Sequence, residues 1–220
     1  MERFPITPPG LESLVQGSQF LVNQTRTSIF QSHCTYDLLN ADGFLLYHGV
    51  EVRECCGPRM EVKVCNTKGY NVLHLLMPSE CCSCENRLQV SDSSGILLGY
   101  IEQKWTNFTI MDSLHQVCLT VKSPGWGQGF MSDVKYQVMS ADKSVSVGLI
   151  TRVWRGFRKE VLSSTNNYVV QFPEDLDITM KAMLLACTIF IDLLYHEEKR
   201  RESAAASNAA ATTAATTMAL

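Results

Sequence analysis

The stretch from Asp175 to Tyr195, DLDITMKAMLLACTIFIDLLY, is the longest apolar run in the chain, and it comes almost at the end. Its apolar residues cover nearly every face of a helical wheel. Such a helix either spans a bilayer or is fully buried in a protein core. Ile178 to Tyr195 is 18 residues long, near the lower limit of about 17–25 for crossing a hydrocarbon layer. The run also carries Thr179, Lys181, Thr188 and Asp192. Lys181 is placed to snorkel at one end, but Asp192 sits a turn from the other end and costs more in lipid. The balance favours burial, provided the rest of the chain supplies the wall.

The preceding residues read as that wall. Alternating apolar runs are interrupted by short polar clusters, the signal of β-hairpins. Ser18–Thr25 is a first strand. Hairpins follow over 36–52, 60–76, 87–105, 107–122 and 134–153, with turns at 40–43, 66–69, 91–95, 112–113 and 140–143. Gly43, Gly69 and Gly95 lie 26 residues apart and suit positive φ at the close of a turn. Tyr168 to Phe172 is a last strand, stopped by Pro173. About twelve strands result, and closing them into an antiparallel barrel removes exposed edges. Strand side chains fill a barrel of about eight strands, so a wider one needs a plug. The expectation is mainly β: a closed barrel threaded by the helix, with Ile178, Met183, Leu184, Leu185, Ile189, Phe190 and Leu193 in its core. Asp175 is the expected N-cap, with Asp177 favourable against the helix dipole.

The domain is expected over 13–198, with the helix over about 175–196. Residues 1–12, containing Pro5, Pro8 and Pro9, read as a flexible lead-in. Residues 199–220 read as a basic, then Ala/Thr-rich, mobile tail. Net charge is −3, so the chain as a whole has no pull toward nucleic acid. The start lacks a signal-peptide core, which places the chain in the cytosol with nine reduced cysteines. Cys65, Cys118 and Cys187 read as small core residues. No nucleophile–base signature and no phosphate-cradling Gly-rich loop followed by Lys-Ser/Thr is present.

A meander puts the tight turns at one end of the barrel and the connections between hairpins at the other. Cys55, Cys56, Cys81, Cys82 and Cys84 fall in such connections. So do Trp126 and the segment RVWRGFRK, with Arg152, Trp154, Arg155, Arg158 and Lys159. Thiols, indoles and cations on one rim suit a bilayer surface, with the thiols as acylation candidates. Thiolate coordination of a metal and unmodified exposed thiols are the alternatives. RVWRGFRK also leaves room for a nucleic-acid-binding regulator.

Five segments carry a resemblance: GLESL at 10–14, ECCGPR at 54–59, CCSC at 81–84, LGYIEQKW at 98–105 and QFPEDLDITMKAM at 171–183. In this order the chain resembles the phospholipid scramblases. The resemblance implies a tubby-like fold, a twelve-stranded barrel around a C-terminal helix. It also implies calcium-dependent, ATP-independent, bidirectional movement of phospholipids between leaflets, without bond chemistry. Palmitate on the cysteine cluster and a place at the cytoplasmic face of the plasma membrane are implied as well. The window similar to the family's acidic calcium loop begins at Ser164. Its ligand-like positions are Ser164, Asn166, Tyr168, Val170, Phe172 and Asp175, with Ser164 and Asn166 where the family has acids. Helix capping is the other role open to Asp175. The function implied is scrambling by a membrane-attached protein; the alternative is a lipid-binding signalling module without intrinsic scrambling.

Overall fold

The computed structural model describes residues 7–26, 33–52, 57–79, 86–124, 132–154 and 166–196. A short 3-10 turn, Glu12–Leu14, precedes twelve strands. These are β1 (Gln19–Arg26), β2 (Cys34–Asn40), β3 (Leu45–Val52), β4 (Met60–Asn66), β5 (Asn71–Met77) and β6 (Asn86–Asp92). They continue as β7 (Leu97–Lys104), β8 (Asn107–Asp112), β9 (Val117–Lys122), β10 (Val134–Ser140), β11 (Ser146–Val153) and β12 (Asn167–Gln171). Each strand pairs antiparallel with the next. The sheet closes where β1 meets β12, from Gln19 opposite Gln171 to Asn23 opposite Asn167. One helix, α1 (Ile178–His196), follows.

Alternation sets the inner face. Tyr36 and Leu38, Val62 and Val64, Leu88 and Val90, and Tyr168 and Val170 all point inward and are buried. The intervening residues face outward and pair across strands, as His48 does with Asp37 at 2.7 Å and Arg87 with Glu102.

The regular glycine spacing marks a repeated turn. Asn40, Asn66, Asp92 and Asp112 each accept two backbone N–H bonds at one Oδ1, from the residues two and four positions later. Positive φ follows at Gly43, Gly69 and Gly95 (80–86°), then at His115 (61°). The fifth hairpin uses the Ser140 hydroxyl and Lys143, also at 61°. All five hairpins carry a one-residue register shift just before the turn. This is the type I turn with a bulge that suits right-twisted strands.

The helix returns through the barrel. It starts at Ile178 and is capped by Asp177, whose Oδ1 accepts the Met180 N–H at 3.2 Å. The expected cap, Asp175, lies in the preceding turn. There the Leu176 N–H closes on the Pro173 carbonyl at 3.1 Å and delays the helix start. Residues 181–193 are buried, and Ile178 is half-buried. Phe190 meets Phe108 edge-on, with ring centroids 5.9 Å apart. The Thr188 hydroxyl donates to the Leu184 carbonyl at 2.9 Å, so it is satisfied inside α1.

Lys181 does not snorkel. It is 0% exposed. Its Nζ lies 3.0 Å from the Leu14 carbonyl, 3.1 Å from Val15, 3.2 Å from Gly17 and 2.6 Å from Glu174. Burial lowers its pKa. Of the expected core thiols, Cys187 is buried, whereas Cys65 and Cys118 are half-buried because they sit outside the inner row; Cys34 is buried instead.

Candidate functional site

The two ends of the barrel differ in charge. The five tight turns and the start of α1 share the turn end. The other connections, including the two-residue β7–β8 turn, and the end of α1 share the connection end. Among the described residues, the exposed charges at the turn end are Glu12, Asp42, Asp142, Glu174, Asp175 and Asp177 against Lys68 and Lys143. Hydrogen bonds from the Ser140 and Ser144 hydroxyls pull the Asp142 carboxyl down to about 2. Among the same described residues, the connection end exposes Arg59, Arg87, Lys104 and Lys135 against Asp133. Apolar tips also project at the turn end: Phe44, Tyr70, Ile96, Leu114 and Val145, one on each turn. The sequence reading passed over them. The signal was there, since an apolar residue lies in or just after each turn.

At the connection end α1 closes on a buried polar cluster. Asp192 is 0% exposed. It accepts from Tyr36 Oη at 2.9 Å, Tyr168 Oη at 3.0 Å and Asn166 Nδ2 at 2.7 Å. His196 Nε2 lies 2.9 Å from Gln24 Oε1 and 3.6 Å from Asp192 Oδ2. A hydrogen bond to that oxygen requires the proton on Nε2, since an oxygen can only accept. Burial first, and the Asp192 charge second, push both phenols well above the ordinary tyrosine range. The cluster gives Asp192 inside the barrel the donors it would lose in hydrocarbon.

Beside this cluster a cleft of about 350 Å³ opens on the same end. Its floor is Phe108, Ile191 and Leu194, with Tyr195 beside them. Its polar wall includes Arg59, Asn86, Gln103, Thr106, Ser123 and Tyr136. Arg152 caps the Tyr195 ring, with its guanidinium 4.5 Å from the centroid. Trp105 stands at the tip of the β7–β8 turn, 96% exposed at φ 58°.

Of the expected rim, Arg152 and Trp154 are at the connection end as anticipated. The Trp154 N–H donates to Asp133 at 2.9 Å, and the indole is partly exposed. Trp126, Arg155, Arg158, Lys159 and all five acylation candidates (Cys55, Cys56, Cys81, Cys82 and Cys84) lie outside the described residues, as does Ser164. The remaining calcium positions do not fit a cation. They fall on and around β12, a strand paired on both sides, rather than on a loop. Tyr168, Val170 and Phe172 point into the core, and the Asn166 amide nitrogen donates to Asp192. Only Asp175 offers an exposed carboxylate, and Ca²⁺ takes six to eight oxygens.

A closed twelve-stranded barrel around a C-terminal helix is the architecture the resemblance implied. A solved structure of a protein from Arabidopsis thaliana shares it at a TM-score of 0.52 and 14% identity, covering 86% of this chain and 99% of that one. A family model described as Scramblase matches residues 2–198, and the chain belongs to that family. Phospholipid scramblase 2 of Bos taurus is 30% identical over 211 residues, covering 86% of this chain and 72% of its own. Phospholipid scramblase 1 of Mus musculus is 31% identical, with 86% and 64% covered. Phospholipid scramblase family member 5 of Homo sapiens is 26% identical, with 86% and 78% covered.

Proposed function

We propose that the protein serves phospholipid scrambling from the bilayer surface, docking through the connection end of the barrel while α1 stays inside. The carrying observation is the burial of α1 with both its charges satisfied: Lys181 on four carbonyls and Asp192 on three donors. Drawing α1 into lipid would strip these partners, put Asp192 in hydrocarbon at about 2.5–3.5 kcal/mol, and empty the barrel of its core. Membership of the scramblase family supports phospholipid as the material handled. The charge difference between the ends supports the orientation. Cations near an anionic leaflet contribute about 1 kcal/mol each, and exposed acids oppose binding. Palmitate on Cys55, Cys56, Cys81, Cys82 and Cys84 would add anchors to the connections at this end. The reading takes the cytoplasmic leaflet as the docking surface and gives Ca²⁺ no role in β12.

Flotation of the purified chain with vesicles containing phosphatidylserine tests the orientation. Reversing Arg59, Arg87, Lys104 and Lys135 to glutamate should lower vesicle binding at least tenfold. Replacing Asp42, Glu174 and Asp175 with lysine should not lower it. The opposite pattern would overturn the docking face. The same vesicles carrying a fluorescent lipid measure exchange between leaflets, with and without Ca²⁺. Acceleration that follows the bound fraction supports scrambling. Binding without acceleration would leave a docking module.

A further inference from the structure

We propose that the cleft at the connection end is the binding site for the phosphate-bearing headgroup of a single phospholipid, its acyl chains remaining outside. This rests on the docking reading above for its source of ligand, and it names the group that reading left unspecified.

Hydrogen bonds polarise the wall toward donation. Arg59 Nη1 donates to Asn86 Oδ1 at 2.6 Å, and Asn86 Nδ2 donates to Gln103 Oε1 at 2.5 Å. Both amide oxygens are thereby engaged, and the relay ends on the Gln103 amide nitrogen, which can only donate. The Thr106 and Tyr136 hydroxyls stand on the same wall. Among the described residues, no aspartate or glutamate lines the cleft. Cations flank it: Arg59 on the wall, and Arg152 over Tyr195, close enough that its charge acts on the Tyr136 phenol. A donor-rich surface beside guanidinium groups suits a phosphate oxygen.

The other half of the cleft is apolar. Phe108, Ile191 and Leu194 offer the glycerol and ester region a dry floor. The volume, about 350 Å³, is near the low end of the ~300–1,000 Å³ of small-molecule pockets. It admits a headgroup with its glycerol and excludes two full acyl chains. A free phosphate would use the wall and ignore the floor, so floor contact separates the two sources of the same chemistry.

The test is calorimetric titration of the full chain with dihexanoyl phosphatidylserine below its micellar concentration, and separately with inorganic phosphate. The short-chain lipid should bind saturably and at least tenfold more tightly than phosphate. Thr106→Glu places a carboxylate at the exposed lip, and Leu194→Trp fills the floor. Each should weaken lipid binding at least tenfold, while thermal melting stays near that of the unaltered chain. Thr106 is in an exposed turn, so that variant folds even if Leu194→Trp does not. No saturable lipid binding, or binding indifferent to Thr106→Glu, would overturn the site. Phosphate binding as tight as lipid would make it a site for free phosphate instead. Lost flotation in the unaltered chain would strike the docking reading alone, because the titration needs no bilayer.

Discussion

Lys181 and Asp192 are the two charges that α1 carries into the barrel, and each is answered by residues far away in the chain. The carbonyls around Lys181 come mainly from Leu14, Val15 and Gly17. Lys181→Met leaves them without a donor and unties the start of α1 from the N-terminal segment. The expected loss is about 2–4 kcal/mol of unfolding free energy in urea. Both residues were legible as intrusions in an apolar run. Their partners were not, because a carbonyl has no sequence signature and the contact spans most of the chain. Tyr36 and Tyr168 give a pH signature. Their phenols keep protons in the folded state that the unfolded chain releases above about pH 10. The folded state then binds more protons, so stability falls as pH rises beyond that point. Tyr168→Phe loses one hydrogen bond to Asp192 and should cost about 1.5–3 kcal/mol at neutral pH. That deficit should narrow above pH 10, as alkaline denaturation curves will show. A deficit constant to pH 11 would mean the phenol is not held protonated.

At the scale of elements, the hairpins were readable because each is announced by a polar Asx or Ser, a small loop and a residue able to take positive φ. A Cβ at Gly69 meets nothing within 4 Å, so only the backbone conformation, φ 82°, resists substitution. Gly69→Ala should therefore cost about 1 kcal/mol, and Gly69→Asn less, since asparagine tolerates that region. Equal costs for the two would show that the turn relaxes. The start of α1 was misread by two residues because Asp175 and Asp177 both suit a cap. The choice is made by the turn after Pro173, which local preference alone does not decide. Asp177→Ala should lower stability by about 1 kcal/mol, and Asp175→Ala should leave it nearly unchanged in the same denaturant titration. Loss at Asp175 instead would place the cap where the sequence first suggested it. The calcium window carries a related ambiguity. A window with ligand-like spacing also has the period of a strand, and β12 uses that period to fill the core.

On the scale of the whole molecule, closure was legible from strand number and from the lack of any other filler for a wide barrel. The division of features between the ends followed from the meander alone, and α1 does end beside the longer connections. The cleft was not legible: it is bounded by Arg59 ahead of β4 and by β6, β7, β8, β10 and α1 together, and no single segment hints at it. The apolar turn tips were not foreseen either, since a lone exposed Phe or Ile is unremarkable until five share one rim. The account depends on α1 staying within the barrel when the protein meets a bilayer. The direct measurement replaces Trp105, Trp126 and Trp154 with phenylalanine and introduces Phe190→Trp as the only indole. Its fluorescence is then read on vesicles whose lipids carry bromine at mid-chain. Emission that stays blue and unquenched while the chain is vesicle-bound is the predicted result; strong quenching by the mid-chain bromines would put the helix in the bilayer and contradict the account.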